Sequence, residues 1–168
     1  DAVVLLGASS TDGDSDSLSG SEYLEWRYGQ VAGHPTIDLD VEVRLQKCLL
    51  RLVGSGAITS AHDCSDGGLA VALAEACIHG NMGFQGEVDV TGRWDVSLFG
   101  ETPSRVVVSL PMDRLEDLKD AATDENVPYV RLGFVTGRGR FFLPGLMDLS
   151  VSTMADRYNR DLESTVCE

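Results

Sequence analysis

Ile58-Thr-Ser-Ala-His-Asp-Cys-Ser-Asp-Gly-Gly-Leu-Ala-Val-Ala-Leu-Ala-Glu-Ala-Cys-Ile78 carries three different kinds of local chemistry in 21 consecutive residues. Ile58 to His62 is short, apolar and partly β-branched, which predicts a buried strand. Leu69 to Ile78 is rich in Ala and Leu with almost no polar side, which predicts a helix buried on most of its faces. Between them, Asp63 to Gly68 is a tight polar turn, and its two glycines permit positive φ and close backbone approach. Ser65 or Asp66 can cap the helix by accepting one of its free N–H groups. A strand, a glycine turn and a buried helix place unpaired backbone donors at the edge of an α/β sheet, a favoured location for a site.

Outward from this stretch, similar elements repeat. Ala2 to Leu6 predicts a strand ended by Gly7. Residues 8–19 are small, polar and acidic and predict a loop. Ser19 and Glu22 stand at capping-box spacing before a short helix that Gly29 should end. Gly33-His34-Pro35 is a turn. Leu39 to Val53 is the clearest amphipathic helix, with Val41, Leu45, Cys48, Leu49 and Leu52 on one stripe, Asp38 or Asp40 as cap, and Gly54 and Gly56 as stops. Phe84 to Val90 alternates like a strand. Asp95 to Arg105 reads as a polar turn feeding a strand from Arg105 to Leu110. Asp113 and Glu116 predict the start of a surface helix, Tyr129–Val135 and Arg140–Leu143 a closing hairpin, and residues 151–163 a terminal helix. Together these predict one mixed α/β (α+β) domain over residues 1–168, with a mixed β-sheet of about six strands flanked by helices.

Composition limits the function. The 168 residues, 43% of them hydrophobic, can bury roughly two-thirds of their unfolded surface. No apolar run approaches the ~18 residues of a membrane helix. A net charge of −14 repels phosphate backbones and anionic bilayers, so neither nucleic acid nor membrane is an expected partner. Cys48, Cys64, Cys77 and Cys167 lack any C-x-x-C spacing and read as reduced thiols of a cytoplasmic protein.

Four constellations can carry chemistry. The Asp63–Gly68 turn can bind a nucleotide's phosphate or ribose, or Mg²⁺ through Asp63 and Asp66, although two carboxylates repel a bare phosphate without a metal; equally, Asp66 can cap the helix while Asp63 braces the turn. His62 and Cys64 share a strand face, but a buried inert thiol is the favoured reading. In Phe99-Gly-Glu-Thr-Pro-Ser-Arg105, Glu101 and Arg105 bracket a turn and can form an ion pair. Thr136 to Arg140 is explained by a hairpin. An EF-hand reading of Asp12 to Asp16 fails, because Ser17 and Tyr23 stand where that loop needs Gly and a bidentate acid.

In this order, the segments resemble one family. Ser19-Gly20-Ser21-Glu22-Tyr23-Leu24 is similar to its G-G-S-E-Y segment, and Gly33-His-Pro-Thr-Ile-Asp-Leu39 to its G-x-x-P-x-x-D-L lead-in. Ser60 to Glu75 is similar to its S-A-H-D-x-S-D/E-G-G-L-A-V-A-L-A-E signature, and Leu98 to Val108 to its L-F-S-E-S-Q-S-R strand. The family is the synthetase subunit of phosphoribosylformylglycinamidine synthase, specifically its second C-terminal-type domain, within the aminoimidazole ribonucleotide synthetase superfamily.

The resemblance implies that domain's fold and a part in ATP- and Mg²⁺-dependent conversion of formylglycinamide ribonucleotide and ammonia to the amidine. It implies as partners the N-terminal domains of the same enzyme, which would bind ATP, and a glutaminase supplying ammonia. It places His62, Asp63, Ser65, Asp66, Gly67, Gly68, Glu101 and Arg105 beside a cleft completed by polypeptide outside this chain, with Gly20, Ser21 and Glu22 at the nearby helix start. On this reading the chain alone is catalytically silent, has no catalytic residue of its own and holds no cofactor tightly. An open groove beside Glu101 is therefore expected. Pro103 replaces the Gln of the family's turn, and Ser19 replaces a Gly, which weakens direct substrate contact. Other readings are a selenophosphate synthetase or hydrogenase-maturation module, disfavoured by the Leu98–Glu101 and Gly20–Tyr23 segments, and a non-catalytic interaction domain, which calorimetry with nucleotide would separate.

Overall fold

Ala2–Gly7 (β1) is buried along its whole length, so its two faces must both be covered. A computed structural model, which describes residues 1–7, 15–87, 92–137 and 139–166, shows how. After β1 come α1 (Glu22–Tyr28), α2 (Leu39–Gly54), β2 (Ser60–Asp63), α3 (Gly68–Gly80), β3 (Gly83–Gly86) and α4 (Trp94–Phe99). They are followed by β4 (Arg105–Leu110), α5 (Leu115–Asp124), β5 (Tyr129–Thr136), β6 (Arg140–Leu143), β7 (Met147–Ser150) and α6 (Val151–Val166). The strands form one mixed sheet in the order β2-β4-β1-β5-β3-β6-β7.

The period of two along β1 divides the core. Val3 and Leu5 face a cluster built with Leu69 and Leu73 of α3, Leu98 of α4 and Phe141 of β6. Ala2, Val4 and Leu6 face Leu45, Cys48 and Leu52 of α2 and Leu118 and Ala122 of α5. The helix–sheet–helix layering is that of the expected α/β class. The predicted stripe of α2 packs inward, and Asp38 caps that helix by accepting from the N–H groups of Asp40 and Val41 at 2.9 and 3.1 Å.

Several local expectations give way to tertiary structure. Among the described residues the sheet has seven strands, in line with the expected mixed sheet of about six; the one not anticipated is β7, a half-exposed edge strand with little apolar pattern. Tyr129–Thr136 and Arg140–Leu143 do not form a hairpin. β3 lies between them, antiparallel to β5 and parallel to β6, and β6 turns back onto β7. The gain is a packed core: Phe84 of β3 meets Phe141 of β6 with ring centroids 5.6 Å apart. The segment after β5 need span only about 10 Å, two strand spacings. β2 is an exposed edge strand paired only with β4 among the described strands, not a buried one. Its apolar neighbour Ile58 supplies the burial.

Residues 95–99, expected as turn, lie in α4. A 3₁₀ turn over Met112–Arg114 precedes α5, whose N-cap is Arg114, so the Asp113 cap is not made. The terminal helix runs to Val166. The strand expected to reach Val90 ends at Gly86, with Glu87 beyond it; residues 88–90 lie outside the described residues, as do residues 12–14, Arg138 and Cys167.

At the end of β1, Gly7 has φ +106°, and a Cβ there would lie 1.9 Å from the carbonyl oxygen of Ser104. This contact locks β1 against the turn before β4. Gly7→Ala is expected to cost about 2–4 kcal/mol, because neither backbone can retreat without opening the sheet. Urea unfolding monitored by circular dichroism measures this, and an unchanged midpoint would show that the contact is relaxed in solution.

Candidate functional site

Arg105 opens β4 and is 2% exposed, unusual for a guanidinium. Its Nε donates to the carbonyl of Thr102 at 3.1 Å, and an Nη donates to the carbonyl of Gly100. Burial lowers its pKa, opposed by the Cys64 and Glu101 charges. Carbonyls held this way give the Gly100–Ser104 turn one shape. Ser104, at φ +60°, donates its hydroxyl to Glu42 of α2 at 2.7 Å, and Glu101 N–H donates to the Ser17 carbonyl at 2.8 Å.

The turn thereby presents Glu101 to two helix starts. One carboxylate oxygen, Oε1, accepts from the N–H of Gly67 at 2.7 Å and from the N–H of Glu22 at 2.9 Å. Both helices lack internal partners for these donors, and an acid there also meets the positive end of the helix dipole. The expected Glu101–Arg105 ion pair is not among those formed by the described residues; the carboxylate serves the helices, and the guanidinium serves the turn. Ser21, not Ser19, is the N-cap of α1, accepting from Leu24 N–H at 3.3 Å. The acid that completes the cap is supplied 79 residues away rather than by Glu22.

Neither Ser65 nor Asp66 caps α3. Its N-cap is Gly67, and Gly67 and Gly68 are both left-handed, with φ +77° and +67°. A Cβ on Gly68 would lie 2.5 Å from the Gly100 carbonyl oxygen. Two successive glycines thus let the helix start lie directly on the Glu101 turn. Ser65 and Asp66 remain exposed, and Ser65 donates to the Asp63 carboxylate, the chief reason the Asp63 pKa falls below the ordinary range.

The predicted residues therefore divide. Glu101, Arg105, Gly67, Gly68, Ser21 and Glu22 form one knot, with Gly20 beside it donating to the Ala32 carbonyl at 2.8 Å. His62 lies elsewhere, lining an apolar groove of about 600 Å³ between β2 and α3. Its Nε2 is 3.2 Å from Glu75 and its Nδ1 is 2.8 Å from the Asp63 carbonyl. Cys64 is buried, and burial pushes its thiol up to about 11, as it does for Cys77. A polar cleft of about 80 Å³ remains beside Glu101, lined also by Ser17, Ser19, Pro35, Thr36, Thr102 and Pro103. Sequence reasoning missed Ser17, Thr36, Glu42 and Glu75. Of these, only Thr36 and Glu75 carried a signal, through the motif segments that contain them.

Chemically, the helix start that would attract a phosphate already holds a carboxylate, so an anion could bind there only by displacing Glu101. Among the described residues, no group of three or more His, Cys, Asp or Glu side chains could hold a metal ion. The knot is a rigid wall with a small polar cleft, not a complete catalytic centre.

Two outcomes follow. Glu101→Ala should destabilise by about 1–3 kcal/mol through two orphaned helix donors, while Asp66→Ala stays within about 0.5 kcal/mol. Equal unfolding midpoints for both variants would refute the knot. Separately, the raised thiol pKa values stabilise the fold below the ordinary thiol range, a contribution lost as pH rises through about 11. Ellman titration of the native protein at pH 8 should leave Cys64 and Cys77 unreacted until denaturant is added.

Comparison with known proteins places these features in context. The family described as AIR synthase related protein, C-terminal domain, matches residues 1–144. Phosphoribosylformylglycinamidine synthase subunit PurL of Thermomicrobium roseum is 40% identical over 165 residues, 95% of this chain and 22% of that protein. The subunit of the same name from Thermoanaerobacter sp. is 37% identical over 139 residues, 82% of this chain and 18% of its own length. The chain thus spans about a fifth of the length of these relatives. Among solved structures, T. maritima PurL complexed with FGAR aligns over 92% of this chain and 27% of its own, with TM-score 0.74 and 19% identity. Hydrogenase maturation protein HypE aligns over 83% of this chain and 48% of its own, with TM-score 0.52 and 19% identity. At these identities the structures establish a shared fold.

Proposed function

The chain belongs to the family of AIR synthase related C-terminal domains, and from that premise we propose that it is the C-terminal module of a phosphoribosylformylglycinamidine synthase. The whole enzyme would join ammonia to formylglycinamide ribonucleotide at the expense of ATP in purine synthesis. Residues 1–168 form one domain of it, the second of two C-terminal-type copies. The enzyme would work in the cytoplasm, with a glutaminase partner as its ammonia source. What carries this reading is the meeting of three motif segments, Ser21–Glu22, Gly67–Gly68 and Gly100–Arg105, on one carboxylate.

The chain's own residues then have a positioning role. Arg105 shapes the turn, Glu101 joins the starts of α1 and α3, and the left-handed glycines bring α3 close enough to be joined. The resulting wall, with Ser19, Pro35 and Thr102 around its small polar cleft, is one side of a binding surface. Among the described residues the donor set does not fit Mg²⁺, since no acidic cluster converges and Oε1 of Glu101 already accepts two backbone N–H groups. Nucleotide and metal binding belong to the N-terminal domains of the same enzyme, and the isolated chain is catalytically silent.

A chimera tests this. The matching segment of the Thermomicrobium roseum subunit, 40% identical, is replaced by this chain. The chimera should form ADP only with both formylglycinamide ribonucleotide and ammonia present, and Glu101→Ala should reduce that rate at least tenfold. The isolated chain should form none. ADP production by the isolated chain, or a folded but inactive chimera, would contradict the assignment.

A further inference from the structure

The outer face of α2 carries a second apolar stripe. Leu45, Cys48 and Leu52 point into the core, yet Leu39, Val43, Leu50 and Val53 are 67%, 49%, 72% and 56% exposed. At 3.6 residues per turn, these four and Gln46 fall within about 40° of one line along the helix, opposite the buried stripe. Their 4-7-3 spacing is the heptad spacing of a helix–helix seam. Single exposed apolar residues are ordinary; four in register along one helix are not.

Two features identify the occupant. The stripe is nearly palindromic about Gln46: reversing the helix brings Leu39 opposite Val53 and Val43 opposite the Leu50 turn. The charges are also segregated: Asp38, Asp40 and Glu42, with Arg44 among them, leave the half before Gln46 net acidic, and Lys47 and Arg51 make the half after it basic. An antiparallel copy of α2 sets the acidic half of each helix against the basic half of the other and opposes the two helix dipoles; a parallel copy would set like against like. Arg51 already holds Asp124 of its own chain at 2.6 Å through one Nη, which leaves other guanidinium donors for an Asp40 across the seam. This helix is charge-balanced on a chain of net charge −14, so it is a face on which two copies can meet without strong repulsion.

We propose that the outer face of α2 pairs, antiparallel and two-fold symmetric, with the same face of a second copy of this chain, with Gln46 next to the axis. The 16-residue helix is about 24 Å long. Its seam and flanks bury on the order of 1,000 Å² in total, which places the association at the weak, concentration-dependent end of specific interfaces.

Sedimentation velocity across a concentration series, together with oxidative cross-linking of single-cysteine additions, tests the proposal. The chain should pass from monomer to dimer with concentration. Leu50→Glu should keep it monomeric at ten times the concentration that dimerises the parent, with its circular dichroism spectrum unchanged. Gln46→Cys should cross-link to its own copy well above the parent's background, and Leu39→Cys should not, because antiparallel copies hold those positions about 21 Å apart. A chain that stays monomeric throughout overturns the proposal, as does cross-linking at Leu39→Cys equal to that at Gln46→Cys. A third overturning result is a stripe protected from hydrogen exchange only in the Thermomicrobium roseum chimera, which would assign the face to that protein's remaining polypeptide.

Discussion

A single carboxylate oxygen joins the beginnings of two helices that are far apart in the chain. Glu101 accepts the N–H of Glu22 and the N–H of Gly67, so α1, α3 and the turn before β4 are held at one point. Helix starts carry unpaired donors and partial positive charge, and a buried or half-buried start must find an acceptor somewhere. Here that acceptor belongs to neither helix. The arrangement works only because Arg105 fixes the turn by its carbonyls and because Gly67 and Gly68 bring the α3 backbone within reach.

This constraint organises the face of the molecule where chemistry was expected. An acid in the anion seat of α3 turns a potential phosphate pocket into a brace. What remains is a small polar cleft between the Glu101 turn and the Pro35 segment. A wall of this kind has meaning as one half of a larger site, in keeping with a chain that spans about a fifth of its curated relatives. His62, although only five residues from Gly67, belongs to a separate apolar groove under the exposed edge of β2. Adjacency in a motif is not adjacency in space: a strand and the turn that follows it can present side chains to different sides of one sheet.

The sheet supports this geometry from behind. β1 has no exposed face, and each of its two side-chain rows belongs to a different core cluster. Its last residue, Gly7, touches the backbone of Ser104, and Ser104 in turn donates to Glu42 on α2. The turn that carries Glu101 is therefore gripped from the sheet on one side and from α2 on the other. Displacing it would disturb both cores, which gives the turn its rigidity.

Periodicity in the sequence was enough for the elements whose burial is one-sided or complete: β1, the inward stripe of α2, the Ala- and Leu-rich α3 and the caps at Asp38 and Gly29 are all local properties of consecutive residues. The glycine pair at 67 and 68 and the acid at 101 were also visible as motif positions. Their relation was not, because a hydrogen bond across 34 residues leaves no local trace. For the same reason Ser65 and Asp66 looked like caps, and Arg105 looked like the partner of Glu101. Strand order lay equally beyond the sequence: β3 separates β5 from β6 because Phe84 packs against Phe141 in a shared core, a preference that outweighs the short connection between those two strands. Local chemistry determined which segments fold into which elements; the competition among them for buried surface and for backbone partners decided where each functional side chain ended up.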